Sequence, residues 1–464
     1  MTIKNTFHYL LLSLILTSGL VRAETNLEGD FIMILDGNSS SRDALDPSFN
    51  ITPGSKTNPV LSYLPDQPAA PNPNINKNAD DLRERIISGY SMPDINSNYT
   101  GTHEAWYASR PDYVKRMMGR SQRYLYHIVV EVEKRGMPSE IALLPMVESA
   151  FNPKANSSAK AAGIWQFMPA TGKNFGLKQD WWVDNRRNVT AATNAALDYL
   201  QKLHTMFGTW DLALAAYNSG EGTVQRAIDR NRRKGLPTDY QSLPLPDETK
   251  NYVPKLQAIK NIMARPENYG LNIDAIPNKP YFTKVTAPTQ IDAKLAASLA
   301  EIPFEEFASL NPEYNRPVLM ETGDSVHEIL LPVSAANTFK ENLSNYDKPL
   351  VSWQTYHAKR GERMDKIAQK FGINVAELRD INNMPNGKIK GSQAIMVPNV
   401  NDNSAPIDPS TVNVNDSTEI KSSKKPSKGK SKGDKATANK KSLNHKSTGQ
   451  KISNHSGKSA QKMH

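Results

Sequence analysis

The chain has 464 residues, of which 38% are hydrophobic, with 31 Pro against 25 Gly and no cysteine. That length leaves room for about three domains, and the polar composition assigns part of it to linker or tail; the missing cysteine excludes disulfides, thiol catalysis, thiolate metal sites and lipid attachment through an N-terminal cysteine. The net charge of +10 is local, since residues 421–464 hold 13 Lys against one acid, Asp434, and the remainder is near −2. The folded part is therefore not basic, and nucleic acid is not the expected partner.

Lys4 precedes an apolar stretch, Tyr9 to Leu20, and Val21-Arg22-Ala23 places small residues at both cleavage-determining positions. This reads as a secretory signal peptide over residues 1–23, too short for a transmembrane helix. Residues 24–79 are rich in Asn, Ser, Asp and Pro (Pro53, Pro59, Pro65, Pro68, Pro71, Pro73) and read as an extended linker. From 80 to 275 the pattern turns helical. Asp112 to Gly136 reads as one helix stopping at the glycine, and Ile141, Leu144, Pro145 and Val147 carry the next one to Glu148. Asn188 to Gly208, Trp210 to Gly220 and Asp247 to Met263 are further helices, and no alternating pattern intervenes. The domain is predicted to be all-α.

After Pro280 short strand-like pieces flank paired helices. "IPFEEFASLN" (Ile302 to Asn311) aligns with "INVAELRDIN" (Ile373 to Asn382) at a spacing of 71, and each copy runs on to a strand ending in proline, Pro332 and Pro398. Strand–helix–helix–strand units over 281–346 and 351–400 follow. They are small α+β modules without an acid or base in an obvious pocket, and read as binding modules.

Chemistry concentrates in three segments of the helical part: "VESAFNP" around Glu148, "GIWQFMPATG" (Gly163 to Gly172) and "AAYNSGEG" (Ala215 to Gly222). An ionised Glu148 at the end of the apolar run "LLPMVE" would lose solvation, so the acid is either solvated after all or has a raised pKa. A general acid still protonated near neutral pH is what glycosidic bond cleavage needs. Sugar binding calls for aromatic faces and amides; Trp106, Trp165, Trp181, Trp182 and Trp210 lie between the linker and the third segment, with Gln166, Tyr217 and Asn218 among them, although a core role is the default for each Trp singly. A second carboxylate, usual in glycosidases, has candidates in Asp180, Asp184, Asp198, Asp211 and Glu221, the last in a Gly-rich turn. A one-carboxylate route, in which the substrate's acetamido oxygen supports the cation and the same Glu later acts as base, stays open beside it.

"ALLPMVESAFNP", "AAGIWQFMPATGKNFGL", "DWWVDNRRNVTAATNAALDYL" and "LALAAYNSGEG" closely resemble the lytic transglycosylases of the soluble-transglycosylase, lysozyme-like fold, over about Arg110 to Met263. "YHAKRGERMDKIAQKFGINVAELRDINN" with "GSQAIMVP" is similar to a LysM module, and the preceding copy, with Gln290 opposite Gly361, resembles a degenerate one. The resemblance implies cleavage of the MurNAc-β-1,4-GlcNAc bond of peptidoglycan without water, leaving a 1,6-anhydro end, by a carbon–oxygen lyase that needs no cofactor or metal. It implies that Glu148 is the sole acid and then base, that Gln166, Met168 and Ser157 line the subsite of the reacting sugar, that Tyr217 and Asn218 position the acetamido group and the Glu, and that Tyr252 stands at the back of the cleft. Peptidoglycan strands are the implied partner, with LysM modules holding the glycan. Two alternatives stand beside it: a muramidase that hydrolyses the same bond with water, and an inactive wall-binding scaffold.

With no cysteine for a lipid anchor, a periplasmic enzyme, soluble or peripherally attached, is expected. The Lys-rich tail over 401–464 reads as disordered and suited to anionic envelope polymer or lipid headgroups. Removing residues 416–464 should reduce the salt-sensitive attachment to envelope fractions, a loss measured by washing at increasing ionic strength.

Overall fold

This computed structural model describes residues 73–320, 326–387, 389, 391–399 and 407. The expected leader 1–23, the linker as far as residue 72 and, Ile407 excepted, the tail 401–464 lie outside the described residues. The helical part comprises α1 (Leu82–Ser88), α2 (Asn98–Ala108), α3 (Pro111–Ser121), α4 (Leu125–Lys134), α5 (Leu144–Ser149), α6 (Pro169–Asn174), α7 (Val189–Phe207), α8 (Trp210–Ser219), α9 (Glu221–Arg233) and α10 (Asp247–Ala264). Sequence punctuation sets several ends. Asn188 caps α7 by accepting from the Ala191 amide (2.8 Å), and Gly208 closes it at φ +81°.

The run expected as one helix from Asp112 to Gly136 is two, broken at Gln122–Tyr124. The Ser121 hydroxyl donates to Met118 O (2.7 Å), and Tyr124 turns inward, its ring stacked 6.2 Å from Phe151 and its hydroxyl donating to Ser309 O (2.8 Å). Apolar periodicity runs through the break because both helices face one core, containing Val114, Met117, Leu125, Ile128 and Val132. Likewise Glu221, expected in a turn, is the first residue of α9. The Leu82 amide donates to Ile276 O (2.8 Å) and the Ile276 amide to Asp81 Oδ1 (3.1 Å), tying the end of the domain to its start.

Two small modules follow. In the first, β1 (Phe282–Thr286) pairs antiparallel with β4 (Glu328–Pro332), Lys284 opposite Leu330, and β2 (Gln290–Asp292) pairs with β3 (Val318–Met320), around α11 (Ala293–Leu299) and α12 (Phe304–Leu310); α13 (Ala336–Ser344) closes it. In the second, β5 (Trp353–Ala358) pairs antiparallel with β6 (Gln393–Pro398), Tyr356 opposite Ile395, around α14 (Met364–Phe371) and α15 (Val375–Ile381). The asparagine shared by the repeats has one task in both. Asn311 donates to Leu330 O (2.8 Å) and accepts from the Leu330 amide (2.8 Å), and Asn382 treats Met396 the same way (2.9 and 2.7 Å). A buried side-chain amide thus stands in for a neighbouring strand and fixes helix to sheet. Gln290 does similar work elsewhere: its amide donates to Ile407 O (2.6 Å) and accepts from the Ile407 amide (2.8 Å).

The first module packs directly on the helical domain. Trp181, Trp182 and Val183 form one buried cluster with Val318, Met320 and Met396, and Arg123 pairs with Glu306 through two nitrogens (3.0 and 2.5 Å). Glu313 is buried at this contact. Its Oε1 accepts from Asn188 Nδ2 (2.7 Å) and its backbone carbonyl from the Asp184 amide (2.8 Å), while Oε2 has no hydrogen-bond partner. Burial pushes its carboxyl up to about 7 from 4.5. Neutral in both states below pH 4.5, Glu313 ionises freely only in the unfolded chain as pH rises toward 7, so stability is lost across that window. Between pH 5 and 8 the native chain should lose roughly 2 kcal/mol that Glu313→Gln retains, measured by urea unfolding at both pH values.

Candidate active site

Glu148 is the penultimate residue of α5, a six-residue helix ended by two consecutive non-glycine residues at positive φ, Ala150 (49°) and Phe151 (58°). The turn closes with the Phe151 amide donating to Pro145 O (3.0 Å), and the strain of two left-handed side chains is offset by complete burial of Phe151 against Tyr124. Arg120 Nε donates to Ala150 O (2.8 Å) and the Ser149 hydroxyl to Ile164 O (3.0 Å), so the end of α5 is held from both sides. Glu148 itself is 8% exposed, and its Oε1 accepts a hydrogen bond from the Tyr252 hydroxyl on α10.

The second segment packs under this helix end. Gly163 has φ +79°, and a Cβ there would stand 2.2 Å from Arg186 O, so only glycine fits. Trp165 is fully buried, its indole N–H donating to Thr193 Oγ1 (3.0 Å). Gln166, at φ 48°, braces its own loop through Nε2 to Gly163 O (2.7 Å); its Oε1 is buried with no hydrogen-bond partner. Met168 precedes α6 and is partly exposed. Ser157 lies partly buried in a turn, its hydroxyl accepting from the Ala161 amide (3.0 Å).

The third segment ends α8. The Tyr217 hydroxyl donates to Trp165 O (2.9 Å), and burial together with the Glu148 charge pushes that hydroxyl well above its ordinary value. Asn218 Oδ1 accepts from the Thr249 hydroxyl (2.8 Å) and its Nδ2 donates to Glu248 Oε1 (3.3 Å). Glu148, Tyr217, Asn218 and Tyr252 are thus brought together, with Gln166 and Trp165 supporting the floor. Tyr252 belongs to a stripe on α10 that includes Glu248 and Lys255, at i, i+4 and i+7. Lys255 Nζ reaches Val147 O (3.5 Å); burial lowers its ammonium, and the charges of Glu148 and Glu248 oppose that lowering. Glu248, Thr249 and Lys255 escaped the reading of isolated motifs, although the helical spacing in "ETKNYVPK" carries all of them on or beside the Tyr252 face.

The other candidate acids are held elsewhere. Glu221 accepts from the Tyr199 hydroxyl (2.7 Å) beside Lys202, with the Tyr199 ring lying against Tyr217 at 5.5 Å. Asp184 is clamped by Arg186 (2.9 and 2.7 Å), Asp180 caps the Trp182 and Val183 amides (both 2.8 Å), Asp198 meets Arg135 (3.3 Å), and Asp211 accepts from the Leu212 amide (2.8 Å). Of the tryptophans weighed as sugar platforms, Trp165, Trp181 and Trp182 are buried, and Trp210 stacks on His204 (4.2 Å). Among the described residues no three His, Asp or Glu side chains converge as metal ligands.

Residues 126–237 match the Transglycosylase SLT domain, 281–348 the LysM-like domain of lytic transglycosylase MltD, and 356–398 the LysM domain. Over 303 residues, 63% of this chain and 67% of the relative, the sequence is 35% identical to the membrane-bound lytic murein transglycosylase D of Escherichia coli. It is 41% identical over 162 residues, 35% of this chain and 76% of the relative, to a putative tributyltin chloride resistance protein of an Alteromonas species. Over 145 residues, 28% of this chain and 40% of the relative, it is 32% identical to the membrane-bound lytic murein transglycosylase C of Glaesserella parasuis.

The close approach at Gly163 gives a stability test. Gly163→Ala should cost about 3 kcal/mol or more, combining left-handed strain with a backbone clash. Gly176→Ala, at φ +76° with nothing within 4 Å, should cost only about 1 kcal/mol. Urea unfolding of both variants checks the difference.

Proposed function

Because the chain belongs to the lytic murein transglycosylases that join an SLT domain to LysM domains, we propose that Glu148 performs their bond cleavage on peptidoglycan alone, as acid and then as base. Protonated Glu148 gives its proton to the glycosidic oxygen between MurNAc and GlcNAc as the C1–O bond breaks. The oxocarbenium ion is supported by the substrate's own acetamido oxygen. The Glu148 carboxylate then takes the proton of the C6 hydroxyl, whose oxygen closes on C1 as a 1,6-anhydro ring, and no water is consumed. Tyr252 orients the carboxyl group by its hydrogen bond, Tyr217 and Asn218 face the acetamido group, and Ser157, Gln166 and Met168 border the reacting sugar. Lys255 offsets the negative charge that Glu148 carries between the two proton transfers.

The observation that carries this reading is the hydrogen bond from Tyr252 to a buried Glu148, which unites the first motif with the last helix. Of the carboxylates put forward from the sequence as second catalysts, Glu221 is engaged by Tyr199, Asp184 by Arg186 and Asp198 by Arg135. Glu248 keeps the hydrolytic alternative in view, since it shares Lys255 with Glu148. The two LysM domains serve glycan retention. Export through the leader and a peripheral place in the periplasm complete the proposal; no helix among the described residues is long and apolar enough to cross a membrane.

Mass spectrometry of digested peptidoglycan tests it. Wild type should release muropeptides one water lighter than hydrolytic products, and Glu148→Gln should slow release by about a thousandfold or more. Glu221→Gln should stay within about threefold of wild type, as befits a side chain outside the reaction. Products with reducing ends would assign the hydrolytic reaction.

A further inference from the structure

A second polar pocket lies at the junction of α2 and α3. It is an open hollow of about 320 Å³ lined by Trp106, Ser109, Arg110, Pro111, Asp112, Tyr113 and Arg116. Trp106 is its rigid wall, set edge-on against Tyr107 (5.0 Å) and Tyr113 (5.2 Å), with Tyr107 only 1% exposed. The Arg110 guanidinium lies 4.4 Å over the Trp106 ring and is fixed there by Nη1, which donates to Trp106 O (3.1 Å) and Ser109 Oγ (2.9 Å). Its other nitrogens stay available to a ligand, in the fork geometry that suits a carboxylate.

The charges around this hollow are unneutralised. Asp112 and Arg116 are spaced i, i+4 on α3, where opposite charges ordinarily pair. Among the described residues neither has an ion pair or side-chain hydrogen bond, and both are exposed. Two guanidiniums and one carboxylate are therefore presented beside an aromatic wall. The contact with Trp106 holds one of these guanidiniums at the rim of the hollow.

The helix that carries Trp106 packs on α10, the helix of Tyr252. His103, one turn before Trp106 on α2, bonds through Nε2 to Asn251 Oδ1 (3.1 Å) on α10. Burial and the Lys255 ammonium both lower that imidazole, so α2 runs within electrostatic reach of the lysine that also feels Glu148. A glycan strand lying at Glu148 would carry its substituents along this face.

We propose that the hollow binds the peptide stem of the glycan substrate, taking a zwitterionic amino-acid end whose carboxylate meets Arg110 and Arg116 and whose ammonium meets Asp112, with its aliphatic part against Trp106 and Tyr113. This rests on the peptidoglycan reading above and extends it to substrate selection. The site acts on affinity and not on the proton transfers, so it separates KM from kcat.

The test uses the full chain on two substrates, glycan bearing peptide stems and the same glycan stripped of them by an amidase. Arg116→Gln and Asp112→Asn should each raise KM on stemmed glycan about fivefold to tenfold with kcat unchanged, and both should leave stripped glycan unaffected. In direct titration, a free stem peptide should bind wild type about tenfold more tightly than the same peptide with its carboxylate amidated, a preference Arg116→Gln removes. Equal KM on stemmed glycan for wild type and both variants, or equal loss on both substrates, would overturn the stem site while leaving the cleavage reaction intact. Failure to release anhydro products from either substrate would instead overturn the reading on which it rests.

Discussion

The hydrogen bond between the Tyr252 hydroxyl and Glu148 closes a contact of 104 residues along the chain. Around it the helical domain is arranged as a support for one carboxyl group. The short helix α5 ends in two left-handed residues that aim Glu148, and that geometry persists only because Phe151 is wholly buried and Arg120 and Ser149 bond the same turn. The loop of the second segment presses beneath it so closely that Gly163 meets Arg186 O without room for a Cβ. Strain at the site is thus balanced by packing in the core, as expected where position matters more than local stability.

The same accounting of partners applies to the other acids of the helical domain. Carboxylates are abundant nearby, but a buried one requires hydrogen-bond donors. Glu221, Asp180, Asp184 and Asp198 have theirs in tyrosine, backbone amides and arginines. Glu148 has its own in the Tyr252 hydroxyl, with the Lys255 ammonium within electrostatic reach. In the one-acid reaction proposed above, the phenol and ammonium on α10 would serve the ionised stage as well as the protonated one.

The modules do not hang from the helical domain as separate beads. Trp181 and Trp182, in a segment that reads as part of the catalytic domain, are covered by Val318, Met320 and Met396 of the modules. The first module reuses the architecture of the second, including the Asn311 and Asn382 amides that hold helix to strand, but its turn glycine is Gln290, whose side chain engages the backbone of Ile407. At the joint the buried Glu313 accepts from Asn188, and desolvation raises its carboxyl group.

The sequence by itself determined the order of the segments, the family, the all-α character of the catalytic part and the repeat behind it. Periodicity, capping residues and the burial of Glu148 at the end of an apolar run are local properties, and local properties are written in neighbouring residues. It also marked Tyr217, Asn218 and Tyr252. What it did not carry was which face of each helix meets which other helix. The break at Tyr124 was invisible because both halves bury the same stripe against one core. The surroundings of Glu221, one candidate second acid, and of Glu248 were not legible because their partners, Tyr199 for one and Asn218 with Lys255 for the other, lie 22 and about 30 residues away or across a helix turn. The fate of Trp181 and Trp182 depended on a module more than a hundred residues further on. Side-chain type fixes what a residue can do, and only the packing of distant segments fixes what remains near enough for it to do it.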